Sequence, residues 1–563
     1  MPVAPRTLTR STAIAAVAVL WVALVACSGG SGQGGPPGET AQSLAGKTQY
    51  NPQPYENLKD GGTLTTSLPE ISPQFNTFET DGTGYTLTLW RWYNPILITF
   101  TADGDAVYNP DYLTDVKQET VAGNTRITYT INPKAVYNDG APIDWRSFES
   151  TWKANNGKDP AYLASSTDGY DRITSVVRGI DDRQAVVTFQ GIDVWWQGLF
   201  NVLVNPAAAD PAVYNQGYVN NPHDEWGAGP YQVQKFDPQN GTIVFERNPR
   251  WWGRRGKLDT RTFLTMEDSA SLNAFKNGQL DAVGVGTRDR LAQVQDQPGT
   301  EIRKGPSLQL DYFTLNGQSP MLSDPLVRKA VFEAIDRLQI AKFHFNGLGY
   351  TADPQGSMLL LPFQKGYADN VGKIIRFDPE QAKKDLDAAG WPVGPDGARA
   401  RNGQRLVFTY VNTGDDPLGK AIAGGTAAML KNVGVQMDIR QVASGDFSKI
   451  VTGKQFDMFY SGVAASDPFG LAYICQVYCS NTGLIKSGVN DPKNDELIRS
   501  VNTLPTPDEQ YAKATEAETA AMATYGVLPT VNLPTIVAVR TGLANYGAGR
   551  FFTATPEMIG WQR

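Results

Sequence analysis

Histidine is almost missing from this chain: its 563 residues include only His223 and His344. A Ser-His-Asp hydrolase needs a histidine to take the proton of its nucleophile. His223 sits in the polar loop Asn220–Asp224 and His344 between two phenylalanines, so neither is well set for that task. No Gly-x-Ser-x-Gly elbow and no Gly-x-x-x-x-Gly-Lys-Ser/Thr phosphate loop occurs. Paired carboxylates would suit glycoside cleavage, but among 57 acidic residues the sequence singles out no pair. Cysteine is scarce too, with three in the chain, and no 20- to 50-residue repeat or coiled-coil heptad pattern is present.

Long apolar runs are confined to the N-terminus. Arg6 and Arg10 precede the run Ala13–Ala26, which is too short to span a bilayer and reads as a signal peptide over residues 1–26. It ends in Leu24-Val25-Ala26-Cys27, which resembles the lipobox of bacterial lipoproteins and implies a diacylglycerol on the Cys27 thiol. Residues 27–57, rich in Gly, Ser, Pro and Gln, bury too little to order themselves and are expected to form a flexible tether. The expected location is extracytoplasmic, on the outer face of the cell membrane. Beyond the leader no stretch approaches the ~20 apolar residues of a membrane span. The net charge of −7, without basic runs, argues against a nucleic-acid partner. In an oxidising compartment Cys475 and Cys479 are expected to form a disulfide. A metal site is the competing reading, but a third or fourth ligand is hard to find.

About 500 residues remain, more than one core usually serves, so at least two lobes are expected. Between Gly61 and Asp281 short strand patterns dominate, such as Ile127–Ile131, Arg183–Gln190 and Thr242–Glu246. Helix signals strengthen after that. Asp324-Pro325 starts one helix, with Val327, Val331, Ala334, Ile335 and Leu338 at helical spacing, and Asp378-Pro379 starts another that stops at Gly390. Leu406–Asp457 reads strand, helix, strand, an α/β unit of a second lobe. One enzymatic order stands against a binding role: Ser150-Thr151-Trp152-Lys153, Tyr218-Val219-Asn220 and Lys486-Ser487-Gly488 follow the sequence of penicillin-recognising serine hydrolases. The triplets are short and the usual Ser-Asp-Asn element is missing.

Longer segments point elsewhere. Thr130-Ile131-Asn132-Pro133-Lys134-Ala135-Val136-Tyr137-Asn138-Asp139-Gly140-Ala141-Pro142-Ile143-Asp144-Trp145 is one; Gly227–Tyr231 with Phe245–Gly253 is a second; Phe313–Asn316 with Val327–Ala330 and Ala334–Arg337 is a third. In this order they resemble the extracytoplasmic solute-binding proteins of ABC importers, oligopeptide- and dipeptide-binding family. The resemblance implies an α/β, two-lobed periplasmic-binding-protein-like fold of type II, large peptide-binding subclass. It implies an extra subdomain in lobe I, a hinge of two crossing strands, and ligand capture by hinge closure. Lobe I is then expected at 58–283 and 530–563, and lobe II at 284–529. It further implies a non-enzymatic monomer without cofactor that passes oligopeptides to membrane permease subunits driven by cytoplasmic ATPases.

Peptide-binding members pair the ligand's α-amino group with an Asp in a "GW-x-x-D" segment. Here the segment is Ser461–Phe469: Gly462 matches, Val463 replaces tryptophan, Ser466 stands in the Asp register and Asp467 follows one residue late. Asp467 is thus either the amine anchor or a turn residue before Pro468. The resemblance also brings Phe469, Trp90, Trp92, Tyr93 and Tyr162 toward the cleft as candidate ligand contacts. The departure at Val463 and Ser466 keeps alternatives open: a non-peptide solute such as a haem or sugar, or an envelope lipoprotein using the scaffold as a regulatory or structural partner.

Overall fold

Fourteen strands and eight helices position the site. The structure, a computed structural model, describes residues 39–40, 47–480, 486–489 and 491–563. The leader, Cys27 and most of the expected tether lie outside the described residues. No helix of the described residues is long and apolar enough to cross a membrane.

In chain order the strands are β1 (Thr63–Leu68), β2 (Leu113–Val121), β3 (Asn124–Ile131), β4 (Ile173–Arg178), β5 (Gln184–Phe189), β6 (Tyr231–Asp237), β7 (Thr242–Arg247), β8 (Thr260–Thr265), β9 (Ala282–Gly284), β10 (Thr300–Leu315), β11 (Val407–Thr413), β12 (Gln436–Val442), β13 (Met458–Ala464) and β14 (Val527–Arg540). The helices are α1 (Gly84–Tyr93), α2 (Trp145–Asn155), α3 (Pro325–Glu333), α4 (Arg337–Phe345), α5 (Pro379–Ala388), α6 (Pro417–Lys431), α7 (Ile474–Tyr478) and α8 (Pro507–Met522). Ten strands form one sheet in the order β12-β11-β13-β10-β14-β9-β1-β8-β7-β6, and β2-β3-β5-β4 form a separate antiparallel sheet.

Five apolar clusters pack this frame among the described residues, and the three largest divide it. One gathers Leu64, Trp90, Tyr231, Phe245 and Val539 around β1 and β6–β8. A second lies under the four-stranded sheet, with Ile127, Tyr129, Phe148 and Val187. The third, from Leu310 to Leu528, holds β11–β13 and the helices packed on them. The first two make lobe I with its subdomain; the third makes lobe II.

Among the described residues only β10 and β14 run through both lobes. Thr300–Pro306 pairs with Arg540–Pro534, the ladder breaks between Pro306 and Leu310, and Leu310–Thr314 then pairs with Asn532–Val527. Pro306 faces Pro534, and neither ring nitrogen can donate to a ladder. The expected lobe boundary at 283/284 falls within β9, which stays between β1 and β14 in the sheet, and the chain passes over within β10. The second passage falls inside β14, the strand that also contains the expected boundary at 529/530.

Two further expectations change. The helix begun at Asp324 ends at Glu333, because Asp336 accepts the Leu338 and Gln339 amides and starts α4; Leu338 is exposed. The chain is docked on lobe I by Gln49, short of the expected tether end at residue 57. The Gln49 amide donates to Ala548 O at 2.8 Å, and the Tyr50 and Phe552 rings stack 4.2 Å apart.

Candidate ligand-binding cleft

The lobe I wall of the cleft is α1. Thr83 caps it reciprocally, its hydroxyl accepting the Thr86 amide while Thr86 Oγ1 accepts the Thr83 amide. Its other end is clamped: Tyr93 O accepts the Ala228 and Gly229 amides, and a Cβ on Gly229 would lie 2.8 Å from the Tyr93 carbonyl carbon. Only glycine permits that approach. Leu89, Trp90, Trp92 and Tyr93 face inward; Trp92 meets Tyr231 edge-on and Tyr93 stacks on Phe245. Trp90, Trp92 and Tyr93 are thus lobe I core rather than cleft lining, which corrects their expected role. Tyr162 is spent in lobe I as well, its hydroxyl bonded to Ala209 O and its ring edge-on to Tyr214. What α1 leaves unburied is Tyr85 and the stripe Gly84, Leu87, Thr88 and Arg91.

The lobe II wall begins on β13. On one side β13 pairs with β10 from Met458 to Ala464; on the other β11 accompanies it only at Met458 and Phe459. From Ser461 onward the outer edge has no neighbouring strand among the described residues. Gly462 and Ala464 are exposed there. Beside this edge lies an apolar cavity of about 100 Å³, lined among others by Leu308, Leu310, Met358, Leu361, Val463 and Val477.

Asp467 follows, 2% exposed. One carboxylate oxygen accepts the Phe469 amide at 2.8 Å, which makes a turn before Pro468; the other accepts the Ser466 hydroxyl at 2.9 Å and the Tyr473 hydroxyl. Burial pushes its carboxyl up, opposed by those three hydrogen bonds and then by Arg91. Burial lowers the Arg91 guanidinium in turn, and the Asp467 charge opposes that. Gly462, Ser466, Asp467 and Phe469 are therefore brought together on lobe II, with Arg91 across the cleft from Asp467.

The lobes touch around this segment. Phe469 packs on Phe100 and Trp195 of lobe I, and the Trp195 indole donates to Gln510 Oε1 at 2.6 Å. The Tyr473 hydroxyl, whose proton goes to Asp467, lies 3.3 Å from Gly198 O of lobe I. At the start of α7, Asp168 of lobe I accepts the Gln476 amide at 2.6 Å and the Cys475 amide at 3.3 Å. Burial drives Asp168 up to about 7. Cys475 and Cys479, within and just past α7, are joined by a disulfide.

Residues 108–483 match the model of bacterial extracellular solute-binding proteins, family 5. The chain belongs to that family. This family 5 protein is 34% identical to the oligopeptide-binding protein OppA of Mycobacterium tuberculosis, covering 99% of this chain and 95% of that one. Two solved structures share the fold. One is the periplasmic EDTA-binding protein EppA, TM-score 0.76 and 24% identity, covering 92% of this chain and 99% of that one. The other is the oligopeptide-binding protein AppA from Bacillus subtilis in complex with a nonapeptide, TM-score 0.75 and 16% identity, covering 90% and all of that chain. The fold is thus α/β and two-lobed, as the sequence motifs implied.

Within the family 5 frame those motifs are architectural. Gly140 takes a φ of +90° in its turn, Asp144 caps α2, and Trp251 and Trp252 pack on Tyr112. The hydrolase triplets do not converge: the buried Ser150 hydroxyl donates to Val204 O at 2.8 Å, with Ser147 O the alternative acceptor at 3.1 Å, and Lys153 pairs with Glu149. His344 is buried against the Tyr460 hydroxyl at 2.8 Å, and burial lowers it to about 4; His223 stacks on Trp226. Sequence reasoning missed Arg91 and Tyr473. The stripe Gly84-Leu87-Thr88-Arg91, spaced i, i+3, i+4, i+7 opposite the aromatic face, was the available signal for the first.

Proposed function

We propose that this protein is the substrate-binding component of an ABC importer, capturing oligopeptides in the interlobe cleft by hinge closure and delivering them to membrane permease subunits. The observation that carries this reading is the free outer edge of β13 at Ser461–Ala464. An extended peptide laid there gains main-chain hydrogen bonds whatever its sequence, while a pocket beside the edge takes one side chain. The cavity lined by Leu310, Met358 and Val463 suits an aliphatic one. Phe469 and Ser466 flank the peptide in this reading. Asp467, whose oxygens already accept three donors, can still accept an α-amino group at its remaining lone pair. Binding needs no nucleophile, and the protein is not an enzyme in this reading.

The leader 1–26, a lipid on Cys27 and the chain that follows would hold a monomer on the outer face of the membrane and keep it close to its permease. The likeness to EppA favours one second reading, a non-peptide solute in the same cleft.

Native mass spectrometry of the purified full chain tests both. A reproducible population of co-purified peptides supports peptide import; a cleft that carries only non-peptide solute, or nothing even after exposure to peptide mixtures, overturns it.

A further inference from the structure

α1 presents a single charge to the cleft. Arg91 lies in the last turn of the helix, where the macrodipole favours a cation, but the dipole does not account for its surroundings. The guanidinium carries five N–H donors, and among the described residues it makes no hydrogen bond or ion pair with the protein. It is half-buried on the stripe Gly84, Leu87, Thr88 and Arg91, the face of α1 turned from the lobe I core. That face looks at lobe II: Tyr85, next to Gly84, meets Phe447 edge-on at 6.1 Å, and Asp467 acts on Arg91.

Asp467 does not absorb this cation. No ion pair or hydrogen bond joins the two among the described residues, and the three donors the carboxylate already accepts, the Phe469 amide and the Ser466 and Tyr473 hydroxyls, all come from lobe II. A partly desolvated guanidinium left with five open donors is costly unless an anion joins it, and its planar fork matches a carboxylate two bonds at a time.

We infer that Arg91 is an anion-reading residue of the cleft, and that the peptide bound there presents a carboxylate to it, either its C-terminus or an acidic side chain. The inference rests on the peptide reading above and adds ligand chemistry to it. It places a charge requirement on lobe I, opposite the main-chain contacts on lobe II. Closure then brings the two together, so the anion rewards the closed form and not the open one.

The test uses the full chain and the most abundant peptide recovered from it. That peptide is resynthesised in three forms: unchanged, as the C-terminal amide, and with each Asp or Glu replaced by Asn or Gln. Titration calorimetry compares wild type, Arg91→Gln and Arg91→Lys. Arg91→Gln is expected to weaken the unchanged peptide roughly 10- to 100-fold, the loss of a charge-assisted hydrogen-bonded pair. The modified form lacking the carboxylate that Arg91 reads should then bind wild type and Arg91→Gln alike, which tells terminus from side chain. Arg91→Lys keeps the charge without the fork and should fall between.

Equal weakening of all three forms would assign Arg91 to balancing Asp467 and overturn the inference, as would no weakening at all. Recovery of no peptide overturns the peptide reading first, which keeps the two failures apart.

Discussion

The Asp168 carboxylate of lobe I accepts the backbone amide of Gln476 in lobe II at 2.6 Å. With the Cys475 amide it gathers two of the unpaired donors at the start of α7. These bonds exist only while the lobes are together. Asp168→Ala is expected to remove about 1–3 kcal/mol from the closed form and to weaken ligand affinity roughly 5- to 100-fold. Calorimetry measures the affinity, and small-angle scattering should show a larger radius of gyration for the variant. Unchanged values for both would show that closure does not use this contact.

Acidification should stabilise the fold. Burial pushes Glu79, Asp168 and Glu557 up to about 7 and Asp311 to about 6. In the unfolded chain such groups titrate near 4. Between those limits the folded chain binds more protons, so stability falls as pH rises from about 4 to about 7. His344, which burial lowers to about 4, acts in the opposite sense between about 4 and 6.5, but as one group against four; Asp237, held near 2 by its hydrogen bonds to Asn240, opposes only below that window. The melting temperature should be higher at pH 5.5 than at pH 8, and Glu557→Gln should flatten the slope. A flat profile in the wild type would contradict this.

Gly470 has no room for a side chain. A Cβ there would lie 1.8 Å from Leu359 O, a main-chain atom with little freedom to retreat. Gly470→Ala must push apart the two segments that line the apolar cavity. The expected cost is about 1–3 kcal/mol or more, read as a lower denaturant midpoint together with weakened ligand binding. Gly424→Ala, where nothing lies within 4 Å, is the matched control and should be near neutral.

The bridge between Cys475 and Cys479 closes a short loop, with a sequence separation of 4. Chain entropy predicts about 2 kcal/mol from a loop of that size. Cys475→Ser with Cys479→Ser should lower the unfolding free energy by that order. Alkylation under denaturing, non-reducing conditions should leave both cysteines unlabelled until reductant is added; labelling without reductant would refute the bridge.

Much of the scaffold was legible in the sequence, because its signals are local. Alternation marked β3 and β7, Asp378-Pro379 marked α5, and Asp139-Gly140 marked a turn that needs a positive φ. The long segments Thr130–Trp145 and Phe245–Gly253 gave the fold through resemblance. The cleft was harder to read. Trp90, Trp92 and Tyr93 drew notice as aromatics, yet helical geometry sends them all to the core face and leaves Arg91 on the other. Asp467 was found, but its bond to Tyr473 depends on the turn that Asp467 itself organises. The passage along β10 left no local signal, because the Pro306–Pro534 pairing is non-local, visible only once β10 and β14 lie side by side.

That pairing also fixes which side chains the cleft can offer. Leu310 lines the apolar cavity, whereas its neighbour Asp311 lies on the opposite face, where a Cβ on Gly462 would touch it. In the interrupted stretch between Pro306 and Leu310 the strand can change length while both halves keep their partners. A one-residue slip of the lobe II half against β13 and β14 would instead exchange its two faces, turning the carboxylate into the cavity and the leucine out of it. The polarity of the pocket is therefore set by the register in which β10 meets its neighbours, and the break at the pivot shields that register from changes in the other half of the strand.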